Sequence, residues 1–276
     1  MIGALFILFG TLLSEVSALI GKFKAAQKKE SLFLMGFLET FWVMLFFVII
    51  ALCRGTFHLD PASLPIFFTR IVFEIIVFTL GLQAIIKADR STNAFLTIIT
   101  IPLLLIVDIV LGYDIAAIQI VGIIVIIVSL CLLYLKNGIR KKGSIYIILW
   151  ACGAVVTISL FKYNITHYNA VEAEGAYMFI ILCLYSLIMT FIYDRRNPFP
   201  YLFKYPYNME SLMRGVAVPL LSFAYMFGTA SIILTAKRVL SIIWSIFFGN
   251  HYFHEKRTGI KILCVVIIFV GLILIY

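Results

Sequence analysis

Gly21-Lys22-Phe23 ends the first apolar segment of this chain, and Phe161-Lys162-Tyr163 ends another segment about half a chain length later. A second related pair, Gln119-Ile120-Val121-Gly122 and Lys261-Ile262-Leu263-Cys264, is separated by nearly the same offset. Two matches at nearly one offset in a 276-residue chain predict two homologous halves of five hydrophobic segments each. An odd number of spans per half inverts the second copy, and inverted repeats with a binding site near the midplane are typical of secondary transporters.

The composition places the chain in a membrane. Hydrophobic residues make up 63% of it and charged residues 13%, whereas a soluble domain has about 45–50% and about 25%. The formal net charge of +9 comes from short loops between apolar runs, so we expect anionic lipids rather than nucleic acid as partners. The five cysteines show no CxxC spacing, and we expect no metal and no cofactor.

A spanning helix needs about 20 predominantly apolar residues. This rule predicts an all-α membrane protein with ten spans, in a first repeat at 1–138 and an inverted second repeat at 139–276. The alternative is nine spans, with segments eight and nine forming one bent helix. The predicted spans lie near 2–22, 31–53, 64–86, 92–111, 115–135, 143–163, 173–193, 212–233, 236–253 and 258–276.

Loop charges predict an orientation. The odd-numbered loops together with the span ends beside them hold fifteen lysines and arginines, and the even-numbered loops with their span ends hold four. Because basic loops stay in the cytoplasm, this bias predicts that both termini lie outside. We expect a multi-pass protein of a prokaryotic plasma membrane, working as a monomer because a duplicated chain already contains both repeats.

The order and spacing of the segments, with Pro102 in the fourth and Gln119 and Gly122 in the fifth, resemble the drug/metabolite transporter superfamily in its ten-span EamA-like form. Phe248-Gly249 and Gly271 match the same pattern in the second half. The resemblance covers the whole chain. It implies a ten-helix basket around a central cavity that carries a small organic metabolite, and it leaves the substrate open.

Glu15 is the first candidate for chemistry because ionisable groups inside a bilayer are costly. Thr11, Glu15, Ala18 and Lys22 follow the spacing of one helix face. The carboxylate either binds a cation or proton, or is a structural group hydrogen-bonded to a neighbouring helix. The stretch from Ser14-Glu15-Val16 to Lys22-Phe23 also resembles the small multidrug-resistance branch of the superfamily, in which a membrane glutamate binds protons and cationic drugs.

Two further glutamates and an arginine lie in the predicted spans of the first half. Arg70 and Glu74 are four residues apart in the third span, so they can pair along one helix face. Glu39, in the second span, has no partner near it in sequence. Both glutamates are candidate supports for a proton or substrate site. The alternative that Arg70 and Glu74 form a structural ion pair, which does not touch the substrate, stays open.

Basic, aromatic and proline side chains complete the candidates. Lys237 and Arg238 begin the short ninth segment and either meet an anionic substrate group or anchor the helix at the interface. Lys162, at the end of the sixth span, is expected to reach the headgroups. Trp150 beside Glu15 would suit an organic cation. Pro102 is expected to kink the fourth span and to mark a region that changes conformation.

These observations favour a secondary transporter that works by alternating access and draws its energy from protons or from the gradient of the solute. The predicted spans of the first half contain three glutamates, which favours a cationic or zwitterionic solute. The sequence has no nucleotide motif and no nucleophile–base pair, so we do not expect an enzyme. The alternatives are a translocase for lipids or lipid-linked sugars and an accessory membrane subunit without transport of its own.

Overall fold

The computed structural model is mostly helical over the residues that it describes, and no strand occurs among them. Those residues are 2–26, 31–87, 93, 96–110, 116–137, 143–205, 207–253, 263, 266–267, 270–271 and 273–274. Most of the predicted tenth span and the predicted boundary between the two repeats lie outside them.

Nine main helices follow one another along the described chain. In chain order they are α1 (Ile2–Ala26), α2 (Leu32–Cys53), α3 (Leu64–Lys87), α4 (Thr100–Val110), α5 (Ala117–Asn137), α6 (Ser144–His167), α7 (Val171–Met189), α8 (Tyr207–Ala224) and α9 (Ala230–Phe253). A π-helical turn, Thr190–Asp194, extends α7, and a single helical turn, Phe199–Leu202, precedes α8.

Five described segments are long and apolar enough to cross a membrane: Ile2–Gly21, Leu32–Cys53, Pro61–Ile85, Ser144–His167 and Val171–Asp194. Two shorter apolar stretches, Thr97–Val107 and Ala117–Ser129, lie between the third and fourth of these segments. The chain is therefore an all-α membrane protein that crosses the bilayer several times.

Segments eight and nine are two helices, and their boundary differs from the predicted one. A 3₁₀ turn, Tyr225–Phe227, ends α8, and Gly228 has extended backbone with φ −172° and ψ 176°. The next helix begins at Ala230 and has 24 residues, so the ninth segment is not short and Lys237 and Arg238 do not begin it. The prediction was wrong because it took two adjacent cations as the start of the ninth span.

The described part of the fourth segment, which was predicted near 92–111, changes its helical form close to Pro102. A 3₁₀ turn, Thr97–Ile99, leads into α4, which has 11 residues. Pro102 is the third residue of α4, where its missing N–H removes the bond that the Ile98 carbonyl would accept in a regular α-helix. The proline therefore lies at the junction of the two helical forms. Its conformational role stays a prediction.

Helices from both halves of the chain pack against each other. The most extensive pairs are α1 with α8, α2 with α7, α3 with α6, and α2 with α8. Smaller contacts join α9 to α1 and to α4, and α4 to α6. The largest cluster of buried apolar side chains draws from α1, α2, α4, α6, α7, α8 and α9, so the two predicted halves share one core.

Close packing of α2 against α7 depends on Gly175. A Cβ added there would lie 2.6 Å from Cε1 of Phe47, whose own side chain is fully buried. We expect Gly175→Ala to lower the free energy of unfolding by about 1–3 kcal/mol, because a rigid ring cannot move aside in a packed core. Unfolding of the purified protein in detergent measures this, with Leu184→Ala on the exposed face of α7 as the control. An unchanged Gly175→Ala protein would contradict the packing.

Candidate functional site

The site begins where α1 meets α9 near the middle of the bundle. Glu15 is the fourteenth of the 25 residues of α1, so it lies about 20 Å from the start of that helix. The hydroxyl of Ser241 on α9 donates a hydrogen bond to Oε1 of Glu15. Glu15 is therefore half-buried against a helix of the other half, whereas Ala18 of the same predicted face is exposed.

The eighth helix adds a cation next to this carboxylate. Nη1 of Arg214 donates to the hydroxyl oxygen of Ser14 at 2.7 Å, one residue before Glu15. Arg214 also lies within electrostatic range of Lys237 on α9. We call these side chains together the central cluster, whose members are Ser14, Glu15, Arg214, Lys237, Arg238 and Ser241.

Lys237 and Arg238 are the eighth and ninth residues of α9, two turns inside the helix rather than at its start. Both are half-buried, and both lie within electrostatic range of Glu15. No hydrogen bond or direct ion pair holds either cation within the described part of the chain. The alternative that Lys237 and Arg238 anchor the helix at the membrane interface assumed that they lie at the helix end, and they do not.

Two aromatic side chains, Trp150 and Tyr225, lie beside Arg238 of the central cluster. The Arg238 guanidinium lies 5.1 Å from the centre of the Trp150 ring, a cation–π geometry. Tyr225, at the end of α8, is buried and within electrostatic range of Arg238. Nζ of Lys162 donates a hydrogen bond to the Tyr225 carbonyl oxygen at 2.7 Å. The position of this lysine at the end of a predicted span had suggested that it reaches the headgroups, but in the structure it binds a backbone carbonyl in the turn that ends α8.

Glu39 and Glu74 take no part in these contacts. Each is half-buried, and neither has a hydrogen bond or ion pair with another described residue. The predicted pair of Arg70 with Glu74 is wrong: Nη1 of Arg70 lies 2.8 Å from Oε1 of Glu174 on α7. Packing between helices, rather than spacing along one helix, decides the partner of this arginine.

A second polar group, the Glu174 network, joins α3, α6 and α7 at one end of the bundle. The fully buried Glu174 accepts from Nη1 of Arg70 at 2.8 Å, from Nδ2 of Asn164 at 3.0 Å and from Nδ2 of Asn169 at 2.8 Å. Nδ2 of Asn169 also donates to the Ser63 hydroxyl oxygen at 2.9 Å. Three donors around one carboxylate stabilise its charge away from water.

The opposite end is joined by the Lys24–Glu210 pair. Nζ of Lys24 on α1 forms a buried ion pair with Oε2 of Glu210 on α8 and lies 3.9 Å from the centre of the Tyr207 ring. The Ser17 hydroxyl donates to the Glu210 carbonyl at 2.9 Å. At this same end Asp194 accepts from the Leu34 N–H at 3.2 Å, at the first turn of α2.

Sequence reasoning overlooked three charged residues that the structure brings into these contacts. Arg214 lies inside the predicted span 212–233, and Glu174 lies inside the predicted span 173–193. Glu210 lies just before the eighth span. The rule that singled out Glu15, that an ionisable group within a span is a candidate by default, would have found the first two.

Comparison with solved structures establishes the fold and no more. One crystal structure, described only as that of a protein, has a TM-score of 0.74 and 13% sequence identity over 99% of this chain and 95% of its own. In all, 28 chains of solved structures match. No protein-family model and no curated protein matches the sequence. Fold and polar contacts together define the class: a multi-pass α-helical membrane protein with ionisable groups inside its bundle.

Proposed function

We propose that this protein is a secondary transporter that moves a small organic metabolite by alternating access, with the central cluster as the solute site. The observation that carries the proposal is the meeting of α1, α8 and α9 at ionisable side chains near mid-bundle, away from either end. Such groups are expensive inside a membrane and are typical of substrate and ion pathways. The drug/metabolite transporter resemblance agrees with this reading.

The helix pairs support two inverted repeats. If α1 corresponds to α6, α2 to α7, α3 to α8 and α4 to α9, exchanging the halves turns the α1–α8 pair into the α6–α3 pair. The same exchange turns the α9–α1 pair into the α4–α6 pair and leaves α2–α7 and α4–α9 unchanged. Each of these pairs is in contact. A pseudo-two-fold relation of this kind suits two halves that rock around one site.

The polar contacts at the two ends follow the offset of the sequence repeat. Lys24 is separated from Asn164, and Arg70 from Glu210, by the same number of positions that separates the two repeated lysines of the sequence, Lys22 and Lys162. Lys24 pairs directly with Glu210 at one end, whereas Asn164 and Arg70 share Oε1 of Glu174 at the other. Positions related by the proposed repeat therefore join α1 to α8 at one end and α6 to α3 at the opposite end.

This arrangement supplies the parts that alternating access needs. The central cluster lies between the two ends, and each end is closed by polar contacts that can separate and re-form in water. Glu15 is the proton-coupling group: protonation removes a negative charge beside Lys237 and Arg238 and weakens the attraction between α1 and α9. A proton gradient would thereby favour one of two states, in each of which a different end of the bundle is open.

Uptake into proteoliposomes tests the proposal. We expect one member of a panel of radiolabelled organic cations, amino acids, sugars and organic anions to accumulate when a proton gradient is imposed. Glu15→Gln should abolish that accumulation while the variant unfolds at the temperature of the wild type, because the amide keeps the size and the Ser241 hydrogen bond but cannot exchange a proton. Leu184→Ala, on the exposed face of α7, is the control.

Two results would contradict these assignments. Full gradient-driven accumulation by Glu15→Gln would remove the coupling role of this residue and leave transport standing. Failure of every soluble solute to move, with scrambling of labelled lipids instead, would replace the metabolite transporter by a lipid translocase.

A further inference from the structure

The central cluster has more positive than negative charge. Among the side chains that the structure describes there, Arg214, Lys237 and Arg238 are cations and Glu15 is the one carboxylate. The other two glutamates that had favoured a cationic solute, Glu39 and Glu74, form no ion pair or hydrogen bond with it. Uncompensated charge inside a protein is costly, so a ligand that brings negative charge binds favourably.

The donors of these cations have unused capacity. Arg214 uses Nη1 on Ser14. The Nε of Arg238 is buried without a hydrogen-bond partner, and Lys237 donates no hydrogen bond to a described residue. A guanidinium presents its N–H groups as a planar fork that matches carboxylate and phosphate oxygens, and an ammonium adds a point charge beside it. The two adjacent cations of α9 are therefore suited to one anionic group.

A cationic solute fits the same place poorly. The ring of Trp150 that would receive an organic cation already lies under the Arg238 guanidinium. Oε1 of Glu15 accepts from Ser241, and the other nearby charges in the described cluster would repel a second cation. Both features that had favoured a cation, the carboxylate and the aromatic ring, are engaged by the protein itself.

We propose that the transported solute is an anion carrying a carboxylate or phosphate group, bound by Lys237 and Arg238 with Arg214 beside them. This inference rests on the proposed transport function and narrows its substrate class. Arg238 remains stacked on Trp150 while its outer N–H groups donate to the anion. Protonation of Glu15 strengthens binding by removing the one negative charge in the described cluster that competes for the same cations, which couples a proton to the anion.

Binding to the purified protein in nanodiscs of phosphatidylcholine tests the substrate class. The probes are succinate and glycerol 3-phosphate, their neutral counterparts succinamide and glycerol, and the cation putrescine. We expect at least one anionic probe to bind and to raise the melting temperature, with an affinity that falls as salt rises, and the neutral and cationic probes to have no effect. Lys237→Gln and Arg238→Gln should each raise the Kd about tenfold or more.

Stability without ligand distinguishes a binding role from a structural one. Removing an uncompensated cation does not leave a partner unpaired, so Lys237→Gln should melt at or above the wild-type temperature while binding the anion more weakly. Arg54→Gln, at an exposed cation at the end of α2, should leave the Kd unchanged. Arg238→Lys should retain part of the affinity, because the charge stays and the fork is lost.

The outcomes separate this inference from the function on which it rests. Transport of putrescine or a neutral solute, with no effect of the anions, overturns the anionic substrate and leaves the transporter intact. Anion binding that Lys237→Gln and Arg238→Gln do not weaken overturns the site. Nanodiscs with phosphatidylglycerol identify the source of the anion: stabilisation by that lipid alone, lost in both variants, assigns the site to a lipid headgroup and overturns a soluble metabolite.

Discussion

Glu174→Ala is expected to lower the free energy of unfolding by about 3–5 kcal/mol, enough to prevent folding of a marginally stable protein. The substitution leaves Arg70 buried without its counter-ion and removes the acceptor shared by Asn164 and Asn169. Breaking one partner of a buried ion pair costs much more than the pair contributes relative to apolar groups. Unfolding in detergent and the yield of monodisperse protein measure the loss.

A second buried glutamate that pairs with an arginine gives the control. Glu172 is also buried, but its partner Arg54 is more than half exposed and lies 3.1 Å away. Arg54→Ala should therefore cost less stability than Glu174→Ala, since water screens the Arg54 charge and the Thr56 hydroxyl still donates to Glu172. The double substitution Arg70→Met with Glu174→Leu should recover much of the stability, because neither charge remains buried alone. A Glu174→Ala protein as stable as wild type would contradict the structural role of the network.

Cross-linking α1 to α8 at the Lys24–Glu210 pair is expected to abolish solute uptake. The test uses Lys24→Cys with Glu210→Cys in a chain whose five native cysteines are alanine, joined by a bifunctional thiol reagent that a reductant cleaves. If that end must open in each cycle, the closed link traps the protein in one state. Uptake should return when the link is cleaved.

The uncross-linked double variant is the main control. It lacks both partners of the buried pair, so neither is left buried without the other, and it should transport the solute. Each single cysteine treated with the same reagent controls for modification of one position alone. Unimpaired uptake by the cross-linked protein would show that this end does not need to open.

The positions of most helices could be predicted from hydropathy. The helices α1, α2, α3, α6 and α7 each overlap a predicted span closely, because long apolar runs between charged loops leave few alternatives. The break at Gly228 could not be predicted in the same way. The uncharged stretch Thr229-Ala230-Ser231 follows it, and hydropathy does not separate such a stretch from a span. The extended backbone between α8 and α9 depends on local geometry that hydropathy does not record.

The candidate site was predictable in part. Spacing placed Glu15 on a polar face of α1, and the structure brings its carboxylate to the Ser241 hydroxyl of α9. Its partners come from helices in the other half of the chain, and spacing within one helix does not identify a neighbour so distant in sequence. The same limit applies to Arg70, which pairs with Glu174 on α7 and not with Glu74 four residues away. Charge pairs inside a bundle follow packing between helices.

Thiol labelling at the central cluster tests alternating access directly and needs no knowledge of the solute. A single Ser241→Cys in the cysteine-free chain is exposed to a membrane-impermeant reagent applied from one side of the proteoliposome membrane or from the other. We expect labelling from both sides, and labelling only from the side of the Glu174 network when Lys24→Cys and Glu210→Cys have first been cross-linked. Labelling from one fixed side whether or not the link is present, or from neither side, would contradict alternating access.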